Sequence, residues 1–583
     1  MAAKLDLFVY IIGMGNPFSV NIERSKTVDH LKEAISQRKP NDLKGVDADR
    51  LKLYQVDLPD DEDLEEAAKQ ASKTPLKVSS RLLSKIFQRD PLEERVSILV
   101  EVPEIGENSR ETGSPFDGKI TLESLLKRKL VSTSASRIGS PKVYRSIQTV
   151  PLERIRDDRP ESDSLPPISL LYDGFGHFLD IYKGRHNTRA STKARGELEM
   201  AVDSFSERMT TLYNNEASRM VEGLLALNSI FSFRNRDCPP LKQGTIRNGR
   251  TDGHFLGPHG AVSCVVEFKN ELADINSIPA VELVSCIAKS HTQAMKDQRG
   301  PFRWRVPCLG LTIVGPYVMF FGVLFLQDCW RVVSLTPMLS CIPSAVDGDD
   351  RESLYAAFYG ALHLLRCIDN DIRLFVKGEG AIPHDVNLPY ISALTRRDNK
   401  DAKLEFRIIG LHHDTQDYRH LYIAKTPDEN IEIIVKFSRR YSIELHELCA
   451  HRRHAPKILG FQELPGGWFA IAMEYISSPV FPSSSQDLEG LCDELWKLME
   501  EFHDRGLVHG DLREPNILYD GERMILLDFD WGGKVGDAMY PTGLLTTELT
   551  DGRAEDALST ISKDDDRRVL LNTINTIKNR KSS

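Results

Sequence analysis

Between Val306 and Leu326 the chain runs 21 residues without a charged side chain, long enough to cross a bilayer as one helix. Gly315-Pro316 interrupts the run with a turn signal. On either side, Leu311-Thr-Ile-Val314 and Tyr317-Val-Met-Phe-Phe-Gly-Val-Leu-Phe325 are rich in β-branched and aromatic residues, as buried strands are. The segment is predicted to fold as a buried hairpin rather than a transmembrane segment. Such a hairpin needs large cores around it. At 41% hydrophobic and 27% charged residues the 583-residue chain has the apolar content for several, and its length predicts about three or four domains.

The formal net charge is −10, so any nucleic-acid contact must come from a local basic patch rather than the whole surface. The nine cysteines run from Cys238 to Cys492 with no C-x-x-C pair or zinc spacing, and read as reduced core thiols. Met1 to Asn16 lacks the basic start, apolar core and cleavage site of a classical secretory signal, since Asp6 falls inside its apolar stretch.

The first hundred residues alternate as strands at Leu5–Ile12 and Phe18–Ile22. A helix follows over Thr27–Arg38, capped by Thr27, with Val28, Leu31, Ala34 and Ile35 on one face, and Pro40 and Asn41 break it. Leu51–Val56 reads as the next strand and Arg95–Val102 as the closing one. The Leu-x-Leu-Phe start, the "SKTVDHLKEAI" helix, the "KPNDLKGVDADRLKLYQVDLP" stretch and "VSILVEVP" together resemble the N-terminal header of Crinkler effectors over residues 1–104. The resemblance implies a ubiquitin-like β-grasp trafficking module on a protein secreted without a classical signal peptide. Such proteins act inside a host cell, many of them in its nucleus.

Residues 105–165, rich in Ser, Pro and Arg, are expected to be a flexible basic linker. Nine basic residues against three acidic ones fall between Lys127 and Arg159. Leu126-Lys-Arg-Lys129 is a candidate nuclear signal or phosphate contact.

Ala194–Phe231 is predicted to be mostly helical, and two strands follow. One carries Thr251-Asp252-Gly253. The other, Val262-Ser-Cys-Val-Val-Glu-Phe-Lys269, places Glu267 and Lys269 on one face by alternation. Magnesium-dependent phosphodiester hydrolysis needs oxygen ligands and a group that activates water or stabilises phosphate charge. Asp252 and Glu267 supply carboxylates and Lys269 a cation. Glu216 is preferred to Glu222 as the third carboxylate because Glu-x-x-Arg opens its helix. This Asp, loop, Glu-x-Lys order resembles PD-(D/E)-x-K nucleases of the restriction-endonuclease-like superfamily, with Thr251 in place of the motif's proline and Gln293 a candidate for its helix glutamine. The resemblance implies DNA as partner; the acidic net charge requires its contacts to be focused in a cleft, for which Arg234, Arg236, Arg247, Arg250, Arg303 and Arg305 are the candidates.

Near the end, His503-Asp-Arg-Gly-Leu-Val-His-Gly-Asp-Leu-Arg-Glu-Pro-Asn-Ile-Leu518 follows an amphipathic helix and precedes the strand Met524–Leu527 with Asp528 at its end. Asp511 and Asn516 stand in Asp-x-x-x-x-Asn spacing, and Asp528 begins Asp-Phe-Asp. The arrangement resembles a protein-kinase catalytic loop and metal motif. The resemblance implies Asp511 as base, Asn516 and Asp528 as Mg²⁺ ligands, Lys436 of Ile433-Ile-Val-Lys-Phe437 on the phosphates of ATP, Glu444 or Glu447 as its ion-pair partner, and Met473 at the adenine. This sequence departs from the pattern in several places. His412–Arg419 stands where a Gly-rich loop belongs, Gly510 replaces the loop arginine, Asp530 replaces the last glycine, and no Ala-Pro-Glu follows. His509 reads as a structural loop residue and Asp564–Arg568 as a solvated helix turn.

The expected architecture is multidomain α+β. A ubiquitin-like header spans 1–104 and a flexible linker 105–165. An α/β restriction-endonuclease-like domain spans 166–370, a connector 371–394, and a two-lobed protein-kinase-like domain 395–583. The expected activities are those of a metal-dependent endonuclease and a serine/threonine-type kinase-like phosphotransferase, with Mg²⁺ and ATP as cofactors, DNA and host proteins as partners, and a homo-oligomer possible. The alternatives are a kinase effector whose nuclease-like domain is inactive, and a non-enzymatic scaffold.

Overall fold

The uncharged run is a β-hairpin: strands Cys308–Val314 and Tyr317–Leu326 pair antiparallel from Cys308↔Val323 to Val314↔Tyr317. Gly315 turns the chain with φ +55°, where only glycine is unstrained, and a Cβ there would lie 2.5 Å from a Glu271 carboxylate oxygen. Among the described residues no helix is long and apolar enough to cross a membrane. The computed structural model describes residues 4–11, 14–39, 51–59, 74–76, 82–87, 95–101, 122–150, 153–157, 165–185, 192–233, 239–246, 249–256, 262–296, 305–326, 329–343, 349–377, 385–412, 420–427, 430–476, 485–541, 545–553 and 560–579. They fall into two units, Met1–Gly118 and Lys119–Ser583.

In the first unit, β1 (Lys4–Ile11) and β2 (Met14–Glu23) form a hairpin, α1 (Val28–Arg38) follows, and β3 (Lys52–Pro59), β4 (Thr74–Pro75), α2 (Leu83–Ile86) and β5 (Arg95–Glu101) complete it. The strand order is β2-β1-β5-β3-β4, with β1 and β5 parallel through Val9↔Ile98. Alternation along β1 turns Leu5, Leu7 and Val9 inward, where they pack on Val28, Leu31 and Ile35 at the helical spacing read from the sequence. Thr27 does stand at the N-cap. Its hydroxyl, however, meets the His30 ring nitrogen at 2.8 Å rather than a backbone N–H. The Pro40–Asn41 break lies outside the described residues.

The second unit corrects the expected linker. Within 105–165, α3 (Leu122–Lys127), α4 (Lys129–Ser132), α5 (Ala135–Gly139), α6 (Pro141–Gln148) and β6 (Ile155–Arg156) are folded. Leu125, Leu130, Ile138, Tyr144 and Ile147 are buried in a core shared with the sheet that follows. No helix there exceeds eight residues, so each buries only one or two or three apolar side chains and the 3.6-residue period never repeats. Lys127 and Lys129 of the proposed nuclear signal are exposed on these helices.

Next come α7 (Ile168–Leu171), α8 (Asp173–Tyr182), α9 (Thr192–Thr210), α10 (Glu216–Phe231), β7 (Lys242–Ile246), β8 (Gly249–Leu256), β9 (Val262–Lys269), α11 (Pro279–Lys296), β10 (Cys308–Val314), β11 (Tyr317–Leu326), β12 (Cys329–Ser334), β13 (Leu339–Ser340) and α12 (Asp349–Val376). Among the described residues they build one eight-stranded sheet, ordered β6-β12-β11-β10-β9-β8-β7 with β13 on β11. Strands β9 and β10 are parallel with α11 crossing between them. One face of the sheet packs on α8, α9, α10 and α12, the other on α11 and the short helices. Hence every residue of β9 is buried, as expected of a strand covered on both sides.

The C-terminal part begins with β14 (Ala393–Thr395) and β15 (Lys403–Glu405). Then β16 (Arg407–Leu411), β17 (His420–Lys425), β18 (Glu432–Ser438), α13 (Ile443–His451), β19 (Ile458–Leu464) and β20 (Trp468–Glu474) give an antiparallel sheet ordered β16-β17-β18-β20-β19. The rest comprises α14 (Ser485–Asp504), β21 (Leu507–Val508), β22 (Ile517–Tyr519), β23 (Met524–Leu526), β24 (Gly533–Lys534), α15 (Thr547–Thr550) and α16 (Lys563–Asn579), around its own core. The sheet is docked on the middle domain. Leu170 of α7 lies in its core, Trp468 Nε1 donates to Ser169 Oγ at 2.9 Å, and Gly466 N donates to Asp180 at 2.8 Å.

Arg305, expected to face DNA, is instead 2% exposed. It donates to the carbonyls of Leu171, Val386, Asp385 and Leu388, clamping the described part of the connector. The physical reason is that it lies three residues before β10, in the interior, where bare carbonyls need a donor. Arg250 is exposed, and Arg234, Arg236, Arg247 and Arg303 lie outside the described residues.

Candidate functional site

Among the described residues of the second unit, two clusters of chemistry-bearing side chains stand out. The first lies at the C-terminal end of β9. Lys269 Nζ stands 2.9 Å from Glu267, 3.5 Å from Glu282 and 3.9 Å from Glu216. Glu216 opens α10 behind the N-cap Asn215, which accepts the Ser218 N–H, and Glu222 is instead paired with Arg208. Asp252, on β8, accepts the Phe268 N–H at 2.8 Å. Glu282 was not foreseen. It sits in the first turn of α11, 3% exposed, and its only sequence signal is an acid one turn into the helix after the motif strand. Gln293 lies eleven residues further along α11, about 16 Å at the helical rise, so it is not brought to the cluster.

Burial raises the carboxyls of Asp252, Glu216 and, furthest, Glu267, which also feels the charge of Asp252. Burial alone would lower Lys269, but Glu267, Glu282 and Glu216 outweigh it and hold it charged. The donors are hard oxygens suited to Mg²⁺. Among the described residues no three His, Cys, Asp or Glu side chains are already gathered around one point, and Lys269 stands between the carboxylates.

The second cluster surrounds a cavity of about 380 Å³ lined by Lys436, Met473, Asn516 and Asp528, with Leu421 and Ile434 supplying apolar wall. Strand β18 delivers Lys436 and the adjacent β20 delivers Met473, in register as Ile434↔Met473. Beside the cavity, Asp511 is 3% exposed and its carbonyl accepts from Asn516 Nδ2 at 3.0 Å. The Asn516 side-chain oxygen is buried without a hydrogen-bond partner among the described residues. An orphaned buried acceptor next to Asp528 fits a divalent cation.

Neither Glu444 nor Glu447 pairs with Lys436. Glu444 is exposed and Glu447 binds Arg397, because the face of α13 turned inward carries His446. Lys436 Nζ lies 2.6 Å from both Asp528 and Asp530. Burial tends to lower Lys436, yet the two carboxylates raise it. Burial pushes Asp530 up to about 6 against the pull of Lys436.

Two further contributions escaped the sequence reading. Arg513 grips Asp511 with two hydrogen bonds. Asp566 on α16, 1% exposed, accepts the backbone N–H of His509 and of Gly510, each at 2.7 Å. The expected solvated turn at Asp564–Arg568 is thus half wrong. Asp564 is exposed, but Asp565 and Asp566 face inward, one helical turn ahead of buried Val569 and Leu570. His509 is a structural loop residue. Burial lowers its pKa, its Nδ1 accepts the Asp511 N–H, and its Nε2 bonds the Leu527 carbonyl.

Residues 5–101 match the Crinkler effector protein N-terminal domain. The resemblance to Crinkler effectors is thus carried by the N-terminal domain. The chain is 51% identical over 51 residues to Crinkler effector protein 108 of Phytophthora sojae, covering 9% of this chain and 6% of that one. Over 202 residues it is 35% identical to Crinkler effector protein 1 of Rhizophagus irregularis, 34% of this chain and 42% of the relative. The chain therefore spans less than half the length of either Crinkler relative. Among solved structures, the Cydia pomonella granulovirus kinase PK-1 aligns with 30% of this chain and 70% of its own, at 18% identity and a TM-score of 0.25.

Proposed function

We propose that this protein is a Crinkler effector whose C-terminal part is a two-lobed, protein-kinase-like domain that binds ATP with Mg²⁺ and transfers its terminal phosphoryl group to a hydroxyl. The reading is carried by the cavity in which Lys436, Met473, Asn516 and Asp528 share one lining. Mg²⁺, when bound, would neutralise phosphate charge, and Asn516 and Asp528 are the residues to hold it. Lys436 would bind phosphate oxygens and Met473 would flank the base. Asp511 is oriented by Arg513, yet its carboxylate keeps lone pairs free of the guanidinium. It accepts the acceptor hydroxyl's proton as the new O–P bond forms and the bond to the departing diphosphate breaks. The test is transfer of labelled phosphate from ATP by the full chain. Asp511→Ala is expected to abolish it, and full transfer by that variant rejects the role.

A second activity, DNA cleavage by a restriction-endonuclease-like middle domain, is favoured by one observation: Lys269 is within 3.9 Å of Glu216, Glu267 and Glu282 at the end of a buried strand. Plasmid cleavage in Mg²⁺ against EDTA tests it, and persistence of cleavage in both Glu267→Ala and Lys269→Ala defeats the assignment. For the first unit, the order β2-β1-β5-β3-β4 with parallel β1 and β5 supports a ubiquitin-like header. Action inside a host cell is supported by the matched relatives, which are named Crinkler effectors, and a nuclear destination is part of the same proposal.

A further inference from the structure

In the C-terminal part the helix after β18 brings no carboxylate to Lys436. The place is filled by His446, whose ring stacks on Phe529 at 4.4 Å and 9°. Both its nitrogens are engaged, one with the Tyr441 hydroxyl at 2.6 Å and one with the Pro456 carbonyl at 2.8 Å. A helix so fastened cannot swing an acid inward without breaking a buried stack and two hydrogen bonds.

The charge of Lys436 is met from the opposite side. Asp528 and Asp530 each place an Oδ1 at 2.6 Å from Nζ, while Phe529 between them turns away into the core beside His446. This alternation depends on Asp528 at φ +63°, a left-handed conformation that aspartate tolerates better than most residues.

We propose that Asp530 is the positioning residue of Lys436, replacing a helix glutamate, and that it keeps Lys436 from monopolising Asp528 when a metal-bound nucleotide enters. The role rests on the nucleotide-binding reading of the cavity. A lysine with one carboxylate partner competes with Mg²⁺ for it. With two partners, Asp528 can turn to the metal while Asp530 retains the ammonium near the phosphates. Loss of Asp530 therefore leaves Lys436 paired to Asp528 alone, and Mg²⁺ must displace that ion pair.

The experiment titrates Mg²⁺ into the full chain with a fluorescent N-methylanthraniloyl-ATP and reads polarisation, for wild type, Asp530→Asn, Asp530→Gly and Asp530→Glu. Thermal unfolding of each variant establishes that it is folded. The expected result is a Mg²⁺ requirement raised about tenfold in Asn and Gly, a loss of one ion-pair contribution, with Glu close to wild type. In phosphate transfer the same variants should show a raised KM for ATP at limiting Mg²⁺ and recover kcat at high Mg²⁺. An unchanged Mg²⁺ dependence in either folded Asn or Gly variant, with wild type binding nucleotide, overturns the positioning role. Failure of wild type to bind nucleotide at any Mg²⁺ concentration overturns the phosphotransfer reading, and this role with it.

Discussion

Asp511 and Arg513 are locked together by two nearly parallel hydrogen bonds, Nε to Oδ1 at 2.5 Å and Nη2 to Oδ2 at 2.9 Å, on a loop where both side chains are largely buried. The guanidinium fixes the carboxylate plane, and in the proposed transfer its permanent charge would favour negative charge developing beside Asp511. Replacing Arg513 by Ala should slow phosphate transfer by about a hundredfold and leave nucleotide affinity unchanged. Labelled-ATP transfer and fluorescent-nucleotide binding check the two halves separately, and a parallel loss of both would show that Arg513 acts on the cavity as a whole.

Asp566 anchors the same loop from beneath. Asp566→Asn puts an amide N–H₂ where one carboxylate oxygen accepts a backbone N–H, leaving a buried donor unmet at a cost of about 1–3 kcal/mol. Chemical denaturation of the C-terminal transition should register that loss. Because Gly510 at φ +84° depends on the anchor, transfer should fall further than stability alone accounts for.

The carboxylate cluster on β9 predicts an inverted pH response. Burial raises the folded pKa of Glu267 above its ordinary value, so the neutral acid is favoured in the folded chain. Its stabilising share is present below the unfolded pKa and is lost as pH rises through the raised folded value. Without divalent ions, the melting temperature should fall with rising pH above the ordinary glutamate range. Glu267→Gln should flatten that slope, and added Mg²⁺ should flatten it too if the cluster binds metal. A slope identical in wild type and Glu267→Gln rejects Glu267 as its source.

Arg305 should behave as a structural clamp. Arg305→Met strips donors from four backbone carbonyls and should destabilise the second unit by about 3 kcal/mol. DNA affinity of the protein that remains folded should be unaffected. Electrophoretic mobility shift below the lowered melting temperature separates the two.

How much of this was legible beforehand follows from the range over which each signal acts. The hairpin at Gly315-Pro316, the run ending in Glu267-x-Lys269, and the Asp511 to Asn516 loop are local patterns, and the structure keeps all three as strands and loop where they were expected. Glu216 was separable from Glu222 because position in the first turn of a helix is a local property. Glu282, Asp530 and Asp566 act through partners 13, 94 and 57 residues away in sequence, and no spacing rule reaches that far. The helices within Leu122–Gln148 escaped for the opposite reason: each is too short to repeat its own period.

The docking of Leu170, Ser169 and Asp180 onto the sheet that carries Lys436 bears on how such chains can be cut and recombined. A truncation starting at residue 395, where sequence alone divides the domains, would leave a hole in the sheet core at Leu170 and an indole N–H of Trp468 without its serine. The C-terminal part borrows its interior from the segment before the middle sheet. Gene fusions that exchange one part must therefore carry both across, and the pair is transmissible as one piece.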